Sequence, residues 1–164
     1  LRLRYTGEPL PNDRESLFWL NILEVPPRAL DATQKNQIEL SFRTRLRVFL
    51  RPQALPYTVG NAPEKLQWAL VAHEQGFALQ ATNPTPYHIS LASLDLLSDG
   101  KRFSKAPSKD TNDGLLLPAG DVKLFVLPLL RNRPRGASNI EFTTVSDFGA
   151  RVRHSANLCT SCAG

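Results

Sequence analysis

The chain has 164 residues, 41% hydrophobic and 21% charged, which is room for one domain and part of a second and argues against wholesale disorder. Thirteen prolines outnumber nine glycines and disfavour a helical bundle, and there is no apolar run of about 18 residues to make a transmembrane helix. Twenty basic residues against 15 acidic ones leave a net charge of +5, which fits an anionic partner without specifying one. Methionine is absent, so the chain is expected to begin downstream of an initiator, and Leu1–Tyr5 alternates rather than forming the apolar core of a signal peptide.

Period-two patterns dominate in chain order. Leu1, Leu3 and Tyr5 alternate with Arg2, Arg4 and Thr6 and read as a strand. After a turn-rich stretch, Leu17–Val25 is mostly apolar, rich in aromatic and β-branched residues, and closed by Pro26-Pro27, which favours a buried strand over a helix. Residues 28–36 are a polar loop. The clearest signal is 38–51, where Ile38, Leu40, Phe42, Leu46, Val48 and Leu50 take even positions. Glu39, Ser41, Arg43, Arg45, Arg47 and Arg51 take odd ones, and only Thr44 and Phe49 break the rule. In a strand this gives one oily face and one ladder of arginines.

Residues 53–63 read as a proline-rich linker. Seven short strands are then expected at Leu66–Ala72, Phe77–Ala81, Tyr87–Leu96, Leu115–Leu117, Val122–Leu127, Ile140–Ser146 and Val152–Leu158. Their spacing fits one immunoglobulin-like sandwich. Three strand candidates before the linker do not close a second one, so the front of a first domain is expected to be missing, leaving apolar surface around Phe18, Trp19 and Leu20 and an unstable first segment.

Few residues point to covalent chemistry. A phosphate-binding glycine loop, a zincin helix motif and a serine-hydrolase elbow are all absent from the sequence. Cys159-Thr160-Ser161-Cys162 has thioredoxin spacing, but only Ala163 and Gly164 follow, so no helix lowers the thiol pKa, and a local disulfide or a pair of inert thiols is the expected state. His154 is the one further zinc-ligand type nearby, too few for a metal site. Asp147, His154 and Ser155 contain the residue types of a hydrolase triad, yet Asp147-Phe148-Gly149 reads as a β-turn. His73 and His88 fall in strand patterns and read as structural. Arg131, Arg133 and Arg135 around Pro134 read as a solvated loop, with an anion or partner contact as the sharper alternative. The 38–51 ladder leaves two readings: a solvated face, or a strand offered to a partner that pairs with its edge and meets Ile38, Leu40 and Phe42. A basic β-sandwich that binds nucleic acid or polyanions is the rival, weakened because Phe49 is the one aromatic among the odd positions.

Leu10–Asn21 with Leu23–Pro27, then Arg43–Pro52, Asn83-Pro84-Thr85-Pro86-Tyr87 and Asp147-Phe148-Gly149, resemble, in order, motifs of the PapD-like periplasmic chaperones of the chaperone–usher pathway. The resemblance implies an all-β fold of two immunoglobulin-like sandwiches, the first incomplete. Residues 1–52 would be the C-terminal part of the first domain, 53–63 a linker and 64–164 the second domain. It further implies a periplasmic protein, not an enzyme and without a cofactor or nucleic-acid ligand, that binds pilus or fimbrial subunits and passes them to an outer-membrane usher. In such proteins the last strand of the first domain fills the groove of a subunit lacking its own final strand. Here Ile38, Leu40 and Phe42 match the groove contacts. Arg47 matches the position of a lysine that grips the subunit's C-terminal carboxylate, a change that keeps the charge and alters its geometry. Arg47 is odd and the apolar set even, so a twist or bulge between them is expected to bring both to one subunit. The short loop 28–36 resembles the branch of the family that builds adhesive pili.

Overall fold

The computed structural model describes residues 2–25, 40–74, 76–105 and 115–158. Contacts divide the chain into two units: residues 1–11 with 16–51, and residues 12–15 with 52–164.

The first unit is a β-ribbon. β1 (Ser16–Glu24) and β2 (Phe42–Leu50) run antiparallel, in register from Ser16 opposite Leu50 to Glu24 opposite Phe42. Because side chains alternate, Phe18, Leu20 and Ile22 share a face with Leu46, Val48 and Leu50, while Trp19 and Asn21 share the other with Arg43, Arg45 and Arg47. Leu3, Tyr5 and Leu10 line a cavity of about 390 Å³ with Phe18, Leu20, Val48 and Leu50. Residues 2–10 carry no strand, contrary to their alternation. Alternation sets which way side chains face, but a strand also needs its backbone N–H and C=O groups paired in a ladder, and residues 2–10 join none among the described residues. The second strand is likewise shorter than the 38–51 pattern: Leu40, Ser41 and Arg51 lie outside it, as observed.

The second unit is a two-sheet sandwich. One sheet has the order β3–β4–β8, built from Gln67–His73, Gly76–Thr82 and Val122–Val126. The other has the order β10–β9–β5–β6, with β7 also paired to β5; these are Arg151–Asn157, Ser138–Val145, Ile89–Ser98, Lys101–Ser104 and Leu116–Leu117. Leu79 and Phe125 from the first sheet meet Leu94, Leu96, Leu117 and Ile140 from the second in a closed core. β5 contains a bulge between Leu91 and Ser93. Its effect is visible in burial: Ile89 and Leu91 point inward before it, Leu94 and Leu96 after it, so one extra residue switches the buried parity from odd to even.

Two details of this unit depart from the sequence pattern. β6 was not among the expected strands; it follows a tight Asp99-Gly100 turn, both residues at positive φ, the chemistry of a two-residue hairpin. Residues 53–63 are more than a tether: Ala62 is fully buried, Leu55, Tyr57 and Val59 pack on the core, and the Tyr87 hydroxyl donates to the Tyr57 carbonyl. Two short 3-10 turns, Val59–Asn61 and Pro63–Lys65, carry this stretch into β3.

Candidate functional site

β2 hydrogen-bonds to β1 along one edge, and among the described residues nothing pairs with the other. Leu40 is 62% exposed, Phe42 59% and Leu46 48%. Large apolar side chains in solvent beside an open strand edge are an aggregation hazard unless something docks there. Of the twist or bulge expected between Arg47 and the apolar set, no bulge lies between Phe42 and Arg47, where the pairing is continuous: the two side chains leave opposite faces of the ribbon. Arg47 sits across from Trp19, and the Arg45 guanidinium stacks over the Trp19 ring at 3.9 Å. That cation–π contact covers one side of Trp19 and fixes the Arg45 guanidinium on it. Ile38, the loop 28–36, Cys159 and Cys162 lie outside the described residues.

The Asn83–Tyr87 motif is a buried polar knot. Asn83 Nδ2 donates to the Tyr87 and Pro118 carbonyls, each at 2.8 Å. Its Oδ1 accepts from the Thr85 backbone N–H at 3.1 Å and from Thr85 Oγ1 at 2.6 Å. The backbone N–H of Asn83 donates to Asp121 at 2.8 Å. Every polar site of the amide is thus used, and the β4–β5 connection is tied to the loop between β7 and β8.

Glu15 is a structural residue that the alternation could not flag. It groups with the second unit, where it is 3% exposed. Its Oε2 accepts from the His88 backbone N–H at 2.8 Å and lies 3.4 Å from His88 Nδ1, while the Glu15 N–H donates to Pro86 at 2.9 Å. The carboxylate therefore docks the Asn12–Glu15 stretch onto the Pro86–His88 segment.

The residues of the would-be triad serve structure. Asp147-Phe148-Gly149 is the turn joining β9 to β10, with the Gly149 N–H donating to Ser146 and Phe148 98% exposed. His154 stacks on Phe142 at 5.1 Å and its Nε2 shares a hydrogen bond with Thr144 Oγ1 at 3.0 Å. Ser155 is its neighbour in the same strand and points to the opposite face, which separates two members of the would-be triad. Burial holds the His154 imidazole below its ordinary value of about 6.5, with Glu64 opposing weakly. The unfolded chain therefore binds this proton more readily than the folded one. His154 is expected to support the fold above pH about 6.5 and to withdraw that support as the pH drops through its lowered value. Thermal melts of wild type and His154→Gln across this range check it: the variant should lose less stability on acidification.

Comparison with known proteins follows this architecture. Residues 1–56 match the model for the PapD N-terminal domain of pili and flagellar-assembly chaperones, and residues 61–156 that for the C-terminal domain of the pili assembly chaperone PapD. The probable fimbrial chaperone YadV of Escherichia coli K12 is 35% identical over 161 residues, covering 96% of this chain and 62% of YadV. A crystal structure of the YadV chaperone superposes with a TM-score of 0.75 at 32% identity, over 93% of this chain and 67% of that one. The SafB chaperone, solved in complex with the Salmonella enterica SafA pilin, gives a TM-score of 0.65 at 26% identity, over 93% of this chain and 64% of that chain. The chain spans about 60% of the length of the curated relatives it matches. Two domain models matched in series, on an open-edged ribbon followed by a β-sandwich, show that the chain belongs to the PapD-like family of pilus-assembly chaperones.

Proposed function

We propose that this protein is a periplasmic chaperone that captures pilus subunits by lending them β2, and hands them to an outer-membrane usher. The observation that carries this reading is the open edge of β2 beside exposed Leu40 and Phe42. A subunit lacking a strand offers the complement: an apolar groove flanked by unpaired backbone groups. Adding a strand satisfies those groups through main-chain hydrogen bonds, and side chains at alternate positions fill the groove. Ile38, Leu40 and Phe42 are the proposed groove contacts, each worth about 1.5–3 kcal/mol when buried. Register matters because a one-residue slip would turn the apolar set away. Arg47 is proposed to set it by forming a charge-assisted pair with the subunit's terminal carboxylate. Arg47 is exposed on the face of β2 opposite Phe42, which supports a cation contact separate from the proposed groove contacts. The chemistry is binding alone, with no catalysis and no cofactor. Residues 1–52 and 64–164 are proposed as parts of the two family domains. The pilin complex of SafB supports the choice of partner class.

The test is capture of purified pilin subunits by wild type, Leu40→Glu, Phe42→Glu and Arg47→Ala. Each glutamate is expected to weaken capture at least about tenfold, because a carboxylate would have to enter the groove. Arg47→Ala should weaken capture of native subunits but not of subunits with an amidated C-terminus. Undiminished capture by all three variants overturns the assignment of the strand.

A further inference from the structure

A second concave surface lies within the β-sandwich unit, remote in function from strand donation. A cleft of about 890 Å³ opens between the β6 edge and the loop that runs from β8 to β9. Lys101 contributes from β6, and Arg131, Arg133 and Arg135 from the loop. Among the described residues none of these four cations has a carboxylate partner at ion-pair distance. The one acid lining the cleft, Asp99, is engaged elsewhere: its Oδ1 accepts from the Gly136 N–H at 3.1 Å and its Oδ2 from the Arg135 N–H at 3.4 Å. Those bonds clip the loop to the β5–β6 turn. They also explain Gly136, where a Cβ would stand 2.7 Å from Asp99 Oδ1.

An apolar element stands among these charges. In the Leu127–Leu130 turn, closed by the Leu130 N–H donating to Leu127 at 3.3 Å, Leu129 follows Pro128 with φ 73°. A turn with proline second and positive φ third normally places glycine there. A leucine at that φ strains the backbone, because its Cβ crowds the following carbonyl. Burial does not offset it, because Leu129 is 81% exposed while its neighbour Leu130 enters the core. Half-buried Phe103 lies across the same cleft.

We propose that this cleft is a docking groove for an acidic peptide segment of a partner protein, one that sets an apolar side chain against Leu129 and Phe103 and its carboxylates among Lys101, Arg131, Arg133 and Arg135. Charge complementarity selects the occupant: three arginines on a loop clipped by Asp99 face Lys101 on β6 across one cleft, so the cations are gathered before a ligand arrives. The apolar pair favours a peptide over a nucleic acid, whose bases ask for open aromatic platforms, and Phe103 is packed partly into the core.

Fluorescence anisotropy with a short labelled peptide of Glu and Asp around a central leucine tests the proposal on the whole chain. A lysine-substituted peptide and a DNA duplex serve as competitors. The acidic peptide should bind, with affinity falling as salt rises. Arg131→Glu with Arg133→Glu should weaken it at least about tenfold, equivalent to ~1.4 kcal/mol. Leu129→Gly should weaken it several-fold while raising the melting temperature, since it removes the backbone strain; that opposite pairing distinguishes a lost contact from a damaged fold. Unchanged affinity in the double variant overturns the proposal, because the peptide would then be held elsewhere, such as on the β2 arginines. Equal or tighter binding of the DNA duplex also overturns it. Subunit capture by β2 is read with separate variants, so the two readings stand or fall apart.

Discussion

Asn83→Ala is expected to destabilise the β-sandwich unit by about 3–4 kcal/mol, the largest loss from any single polar side chain in it. The amide is fully buried and makes four strong contacts, to the Tyr87 and Pro118 carbonyls and to the backbone N–H and hydroxyl of Thr85. Truncation leaves those partners in a site water cannot freely enter, and each unsatisfied buried group costs about 1–3 kcal/mol. The side-chain contacts also span distant parts of the chain, so their loss leaves the 83–87 and 117–121 connections joined only by the backbone bonds from Asn83 to Asp121 and from Gly120 to Thr85. Asn83→Asp should not rescue, since it sets a carboxylate against two carbonyls. Urea titration followed by Trp68 fluorescence in a Trp19→Phe background measures the effect, because Trp68 is buried in this unit beside Phe142. A loss under about 1 kcal/mol would mean that the knot is ornamental.

Gly76→Ala comes next, at about 2–3 kcal/mol or more. A Cβ at this position would stand 2.4 Å from the Leu130 carbonyl oxygen and 2.7 Å from Arg131 Cα. Both are backbone atoms that no side-chain rotation can move aside, and the φ of 130° is itself one that a substituted residue rarely adopts. The Phe77 N–H donates to the same Leu130 oxygen at 3.0 Å, so the strain falls on the bond that holds β4 against the 127–131 turn. Gly100→Ala is the informative contrast. It shares a positive φ, 71°, but has nothing within 4 Å of the added atom, so only the conformational penalty of about 1 kcal/mol applies. Hydrogen exchange at the Phe77 amide should accelerate in Gly76→Ala and stay near wild type in Gly100→Ala.

Much of the strand content was legible in the residues because a strand with one buried face writes its orientation in alternate positions. β9 is the plainest case, buried at Ser138, Ile140, Phe142 and Thr144 and more open between them. The 42–50 arginine ladder likewise lies along one face of β2. The pattern failed where its cause is not local. Leu3 and Tyr5 alternate without pairing, whereas Lys101–Ser104 pairs with β5 despite a polar sequence, because its register is set by the Asp99-Gly100 turn.

The candidate site divides in the same way. Leu40, Phe42 and Arg47, the proposed contacts, were singled out by parity and by the family resemblance, and the structure shows Leu40 and Phe42 exposed. The burial of Glu15 against His88 and the clip from Asp99 to Gly136 were not legible, since each joins residues tens of positions apart, and nothing in the sequence pattern marked Leu129 as a leucine at positive φ. By itself, then, the sequence determined the class of the fold, the strands with a buried face and the oily and basic sides of β2, all of which follow from side-chain period and turn chemistry. Which edges pair, which polar groups are buried together, and whether Phe42 and Arg47 share a face were decided only by the tertiary structure, because hydrogen-bond partners and register are properties of two segments and neither segment encodes them alone.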